Sequence, residues 1–159
     1  MDRYLAHLAK ANETFGDQIK IADQKAAYIF TFMLALTVSS TEARQAFSLV
    51  HLQAASFLVG FSSLLLVVAI GVTLGTAICV VLPRSRPGRS VLFWGAWPDA
   101  GDRLMTARAV DDEEFLLQDL LQNTNTLAAI AAAKHRLIFI AFRSLLLTVA
   151  AYALQLAVA

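Results

Sequence analysis

Residues 54–82 form an unbroken run of 29 residues that carries no charged side chain and no proline. A transmembrane helix needs about 20 apolar residues to cross the hydrocarbon core of a bilayer, so this run is long enough to span it. Its polar side chains belong to serine, threonine and one cysteine, which a helix can satisfy with its own backbone. With 58% hydrophobic and 16% charged residues among 159, the chain is expected to be a small multi-pass membrane protein.

Two further apolar runs are candidates for crossing the membrane. Residues 137–159 hold 23 residues with a single charge, Arg143, near the start. That arginine has two interpretations: it snorkels to the nearer membrane surface, or it is an internal charge that helps to open or destabilise the membrane part. Residues 26–38 number only 13, which is short for a crossing. If the helix continues through residues 39–41 and the Lys25 side chain snorkels to the membrane surface, the helix is long enough to cross the bilayer.

The positions of the arginines and lysines predict the orientation, because basic residues mark the cytoplasmic side of a membrane protein. The short turn expected after the first run carries one basic residue, Arg44. Three spans put both basic regions in the cytoplasm, with the N-terminus inside and the C-terminus outside, whereas two spans would export the N-terminal basic residues. These residues are Arg3, Lys10, Lys20 and Lys25 before the first run, and Arg84, Arg86, Arg89, Arg103, Arg108, Lys134 and Arg136 before the third.

Both water-exposed stretches that lead into spans have the pattern of amphipathic helices. Before the first span an apolar residue recurs every three or four positions from Tyr4 to Ala26. Before the third span, four acidic residues at 111–114 suit the positive end of a helix. Neither junction contains glycine or proline, so each cytoplasmic helix is expected to continue into its span. The apolar faces of these two amphipathic helices are expected to pack on each other or on copies from a neighbouring chain, as in a homo-oligomer.

These patterns predict an all-α integral membrane protein with three transmembrane helices and two amphipathic cytoplasmic helices forming a stalk. The N-terminal stretch lacks the apolar core of a signal peptide, so no cleavage is expected. The first span itself is expected to target the chain to the membrane. The expected segments are a cytoplasmic helix at 1–25, a transmembrane helix with a short outer turn at 26–45, a second transmembrane helix at 46–82, a cytoplasmic loop at 83–110, a cytoplasmic helix at 111–136 and a third transmembrane helix at 137–159.

The segment 83–110 concentrates arginines and tryptophans, and prolines and glycines break it into a loop, with a short strand or hairpin expected at 90–94. One interpretation is a positively charged flank with an interfacial aromatic anchor. The other is a site for a small anionic ligand, in which arginines clamp a phosphate and an aromatic ring stacks on a base. Side-chain amides on the following helix would donate and accept hydrogen bonds at the edge of the base. Alternatively, they would form a polar stripe that faces water or another copy of the chain. The candidate ligand-binding residues are Arg84, Arg86, Arg89, Trp94, Trp97, Arg103, Asn123 and Asn125.

Catalysis is not expected from this sequence. It holds no HExxH, GxSxG or Walker pattern, and His7, His51 and His135 fall on different segments. The acidic residues at 111–114 point in several directions at a helix start, which predicts capping rather than metal binding. No cofactor, metal or nucleic acid is expected. A small structural or adaptor membrane protein is an open alternative, whereas a transporter subunit is disfavoured because charges along a substrate path are nearly absent.

Four short motifs connect the chain to a known family. They are ADQKAA entering the first span (22–27), LFWG in the loop (92–95), EEF at the start of the acidic helix (113–115) and LAAIAAAK running into the last span (127–134). In this order and spacing they resemble the transmembrane effectors of Pycsar antiphage systems, the PycTM family. The similarity extends from about Phe15 to the C-terminus. At Trp94 the chain departs from relatives, which carry another aromatic residue.

The resemblance implies a bacterial inner-membrane protein that is encoded beside a pyrimidine cyclase and functionally linked to it. On phage infection the cyclase would make cyclic CMP or cyclic UMP, and this messenger would activate the effector. Membrane integrity would then fail, and the infected cell would die before phage mature, which is abortive infection. The resemblance assigns no ligand residues and does not choose between the two messengers, so the candidate residues rest on the sequence pattern alone.

Overall fold

The structure is a computed structural model of the chain, and it describes residues 2–48, 57–83, 90–92, 100–110 and 112–158. Within these residues the chain forms five α-helices and no β-strand. The all-α fold predicted from the sequence is therefore confirmed. The helices are α1 (Asp2–Ser39), α2 (Thr41–Ala46), α3 (Phe57–Val81), α4 (Ala100–Ala109) and α5 (Glu113–Val158).

Three of the described helices are long and apolar enough to cross a membrane, namely Arg3–Ser39, Phe57–Val81 and Glu113–Ala157. The 25 residues of α3 extend about 37 Å, which exceeds the roughly 30 Å of the hydrocarbon core. α1 and α5 are longer, at 38 and 46 residues, because each joins a polar stretch to an apolar one. The backbone is helical across both junctions, as the absence of proline there predicts.

The chain divides into two compact units. The first unit consists of Met1–Ile21 and Pro83–Lys134, and it holds most of the charged residues. The second unit consists of Ala22–Leu82 and His135–Ala159, and it contains the three apolar runs. Both α1 and α5 contribute residues to each unit.

Small side chains build much of the core of the second unit. Ala46, Ala77, Ala141 and Ala151 are buried together with larger apolar residues such as Met33. Lipid tails are as apolar as leucine, so helices in a membrane associate through close packing, which small residues allow. The outward faces carry large apolar side chains that suit contact with lipid, including Phe32, Val68, Phe142 and Leu146.

Short polar residues and a proline define the helix ends of the second unit. Ser40 follows α1 in an extended conformation, and its hydroxyl accepts a hydrogen bond from the Ala43 N–H at 3.0 Å. This N-cap starts α2, so a short helix stands where the sequence predicted a turn at 42–45. α3 ends just before Pro83, because a proline disfavours helical geometry in the residue that precedes it.

α4 lies within the segment that the sequence predicted to be a loop at 83–110. The residues that indicate a loop all precede α4, namely Pro87, Gly88, Gly95 and Pro98. From residue 100 onward the composition turns to alanine, leucine, methionine and arginine, which are good helix formers. Residues 90–92 form a bend and turn rather than a strand, and the rest of the predicted hairpin lies outside the described residues.

Candidate functional site

In the first unit, the carboxylate of Asp119 on α5 holds the turn at residues 90–92. Its Oδ2 accepts a hydrogen bond from the Ser90 hydroxyl at 2.9 Å, and its Oδ1 accepts one from the Val91 backbone N–H at 2.8 Å. The Ser90 Oγ accepts a further bond from the Leu92 N–H at 3.1 Å. Ser90, Val91 and Asp119 are 1%, 4% and 6% exposed. A buried carboxylate needs donors, and one turn supplies both here, so this Asp119 clamp fixes the turn against α5.

A second buried polar contact in the first unit joins α1 to α5. The side-chain nitrogen of Asn123 donates to the side-chain oxygen of Asn12 at 2.9 Å, and Asn123 is buried. A shift of either helix along the other would leave a buried amide without its partner. The pair therefore specifies the register of the two helices, as buried asparagines do in coiled coils.

A cavity of about 310 Å³ lies between α4 and the start of α5. Asp112 at its rim caps α5, because its Oδ1 accepts a hydrogen bond from the Phe115 N–H at 2.9 Å. Two carboxylates and one guanidinium line the cavity, so its charge alone does not match a ligand that carries a phosphate. The lining residues are Leu104, Ala107, Arg108, Asp112, Glu113 and Leu116.

Arg103 on α4 extends over a ring on α5. Its Cζ lies 5.9 Å from the centroid of the Phe115 ring. A cation–π contact at an exposed site contributes about 0.5–1 kcal/mol. This contact keeps an exposed guanidinium at the place where α4 and α5 meet.

In the second unit, α3 and α5 are joined by a buried polar contact. The hydroxyls of Ser62 and Ser63 reach Oε1 of Gln155 at 2.6 and 3.3 Å. All three residues are buried. Hydrogen bonds between transmembrane helices contribute about 0.6 kcal/mol on average, up to about 1.7. The contact therefore orients α3 against α5 more than it binds them together.

Thr73 on α3 and Thr148 on α5 also meet, with their hydroxyl oxygens 3.4 Å apart. Each hydroxyl has one proton, and each lies within reach of a carbonyl of its own helix, Ala69 at 2.7 Å and Ser144 at 2.8 Å. The contact between the two threonines is therefore close packing of small side chains, which adds to the Gln155 contact without a second strong hydrogen bond.

At the end of the second unit that holds α2, three polar side chains meet. The Ser40 hydroxyl lies 2.9 Å from Oε2 of Glu42 and 3.2 Å from the hydroxyl oxygen of Tyr152 on α5. The backbone N–H of Glu42 itself, followed by the hydroxyls of Ser40 and Thr41, holds the pKa of the Glu42 carboxyl below its usual value. These donors stabilise the charged form of the Glu42 carboxyl.

A family model of the Pycsar effector protein domain matches residues 7–159, nearly the whole chain. The chain belongs to the Pycsar effector family. The resemblance drawn from the four short motifs is thus confirmed. No curated protein and no solved structure matches the chain. Effectors of this family act in antiphage defence, and the three apolar helices indicate that this Pycsar effector is a membrane protein.

The candidate ligand residues of this Pycsar effector are only partly within the described chain. Arg103 stands over Phe115, Asn123 is buried and bonded to Asn12, and Asn125 is exposed. Asn123 thus has a role in joining helices. Five candidates lie outside the described residues, namely Arg84, Arg86, Arg89, Trp94 and Trp97.

Sequence reasoning missed three residues that organise the two units of this Pycsar effector. Asp119 interrupts the leucines of LLQDLL, and Gln155 is the one amide in the last apolar run, so each carried a signal of a buried partner. The partners lie 29 and 93 residues away, at Ser90 and Ser62, and helical spacing does not reveal contacts of that range. Asn12 carried no comparable signal, since it lies beside the apolar stripe of a charged helix.

Proposed function

We propose that this Pycsar effector senses cyclic CMP or cyclic UMP made by a partner pyrimidine cyclase and then disrupts the bacterial inner membrane. The infected cell dies before phage mature. The observation that supports this most is the family match over residues 7–159, because it includes residues of both units. The apolar helices provide the membrane part, and the first unit provides a polar part for a soluble messenger.

We also propose three spans, with the N-terminus and residues 83–136 in the cytoplasm. The first unit carries most of the arginines and lysines, and such residues accumulate on the cytoplasmic side. The segment between α1 and α3 would then face the outside. That segment holds a single arginine, Arg44, and no lysine, which suits the outer side, where basic residues are few.

The route from messenger to membrane is proposed to run through α1 and α5. Each is one continuous helix that contributes to both units, so a movement that begins in the first unit continues in the second. The messenger can shift the equilibrium only by binding one state better than the other. A shift from 1:99 to 99:1 requires about 10⁴-fold tighter binding to the disrupting state.

Disruption is proposed to involve several copies of the chain. The space between the helices of the second unit is filled by side chains that include Met33, Leu66 and Gln155, each at most 2% exposed. A water-filled path through one copy would have to displace these side chains, whereas a path between copies would not. A homo-oligomer is therefore the simpler arrangement.

Titration of the purified protein in lipid nanodiscs with each cyclic nucleotide, followed by calorimetry, tests the sensing step. We expect cyclic CMP or cyclic UMP to bind. We expect the variant with Arg86, Arg89 and Arg103 changed to Gln to bind it at least about tenfold more weakly, because a charge-assisted hydrogen bond contributes about 1.5–3 kcal/mol.

A control variant with Arg3, Lys10 and Lys20 changed to Gln removes the same charge from exposed positions on α1. It is expected to bind with wild-type affinity. Equal affinities of the two triple variants would remove the loop arginines from the site. Binding of neither nucleotide to the wild type would contradict the sensing function and favour the structural or adaptor alternative.

A further inference from the structure

Three residues of α5 form a basic and aromatic strip at the start of the third span. Arg136 and Arg143 are seven residues apart on one face of the helix, and Phe139 lies between them. All three are exposed, Phe139 to 56%. The other side of the same stretch is buried in the second unit through Ile138 and Ala141. We call Arg136, Phe139 and Arg143 the arginine strip.

The guanidinium of Arg143 lies back toward the start of the span. Its Cζ is 4.1 Å from the centroid of the Phe139 ring, which belongs to the preceding turn. Arg143 is six residues beyond Leu137, where the apolar run begins, so its backbone lies about 9 Å into that run. A long basic side chain at this depth extends to the membrane surface. Of the two interpretations of Arg143, the geometry supports snorkelling.

We propose that the arginine strip binds the phosphate of an anionic phospholipid headgroup, in the leaflet nearer the start of the third span. Charge complementarity identifies this occupant, because headgroup phosphates are the anions that a lipid-facing guanidinium meets at a membrane boundary. The planar forks of two arginines suit phosphate oxygens, and the Phe139 ring holds the Arg143 guanidinium toward the start of the span through a cation–π contact. The leaflet is defined by its position along the third span, so this lipid site depends neither on the proposed topology nor on messenger sensing.

Thermal unfolding of the purified full chain in a zwitterionic detergent, with added short-chain lipids, tests the arginine strip. Phosphatidylglycerol is expected to raise the unfolding midpoint at concentrations about 25-fold lower than phosphatidylcholine of the same chain length, about fivefold for each arginine. The double variant Arg136→Gln with Arg143→Gln is expected to lose this preference. Arg143→Lys is expected to keep part of it, because lysine retains the charge but not the planar fork.

Arg44→Gln is the matched control, since Arg44 is an exposed arginine on α2. It is expected to keep the wild-type preference, and inorganic phosphate at the same concentration is expected to leave the midpoint unchanged. Each variant is judged by the ratio between two lipids, so a general loss of stability does not imitate the result. Equal responses of the wild type to both lipids, an unchanged ratio in the double variant, or equal stabilisation by inorganic phosphate would overturn the assignment.

Discussion

Replacing Asp119 with alanine is expected to destabilise the protein by about 3–5 kcal/mol. The substitution removes both acceptors of the Asp119 clamp and leaves the Ser90 hydroxyl and the Val91 N–H buried without that partner. A hydrogen bond to a charged group contributes about 1.5–3 kcal/mol, and an orphaned buried donor costs about 1–3 kcal/mol. Denaturant unfolding measures the loss, and hydrogen exchange of a peptide covering residues 90–92 locates it.

Two further variants separate the clamp from a general effect of charge. Asp119→Asn is expected to lose less stability, because the amide keeps an acceptor for Val91 and can donate to the Ser90 oxygen. Asp17→Ala removes an exposed carboxylate that pairs with Lys20 at 3.1 Å, and such a pair contributes about 0–1 kcal/mol. If Asp119→Ala and Asp17→Ala cost the same, the clamp does not stabilise the first unit.

Replacing Ala141 with leucine is expected to cost about 1–3 kcal/mol, because extra methylenes in a well-packed core force neighbouring side chains or helices to move. Ala141 is fully buried in the cluster that includes Met33 and Leu66. The result is measured as a lower unfolding midpoint of the purified protein in detergent, at constant detergent and lipid concentration.

Ala150→Leu is the control for this prediction, since it makes the same chemical change on the same helix at an exposed position. It is expected to change the midpoint little, because the added side chain meets lipid or detergent rather than another helix. Equal losses in the two variants would contradict the packing of the second unit.

The membrane part could be predicted from the sequence because it depends on composition and on uninterrupted helical stretches. An uncharged run at 54–82 requires a spanning helix, and α3 occupies Phe57–Val81 within it. The continuity of α5 follows from the absence of proline between its acidic start and its apolar end. These inferences use local properties of the chain, which a single sequence displays.

Contacts between distant residues could not be predicted in the same way. The pairing of Asp119 with Ser90, and of Gln155 with Ser62, depends on how helices pack, and many polar residues are available as partners for each. α4 was missed for another reason: the glycines and prolines before it obscured a short helix with little periodicity. The first unit was therefore the harder part to derive, since its charged residues fit several arrangements.

Dye release from lipid vesicles tests messenger-triggered membrane disruption most directly. The purified protein would be reconstituted into vesicles that contain a self-quenching dye, and cyclic CMP, cyclic UMP or cyclic AMP would be added outside. We expect the dye to stay inside until the pyrimidine messenger that binds in calorimetry is added, and then to be released, whereas cyclic AMP has no effect. Retention of the dye at saturating concentrations of both pyrimidine messengers, or the same release without any nucleotide, would contradict a messenger-gated effector.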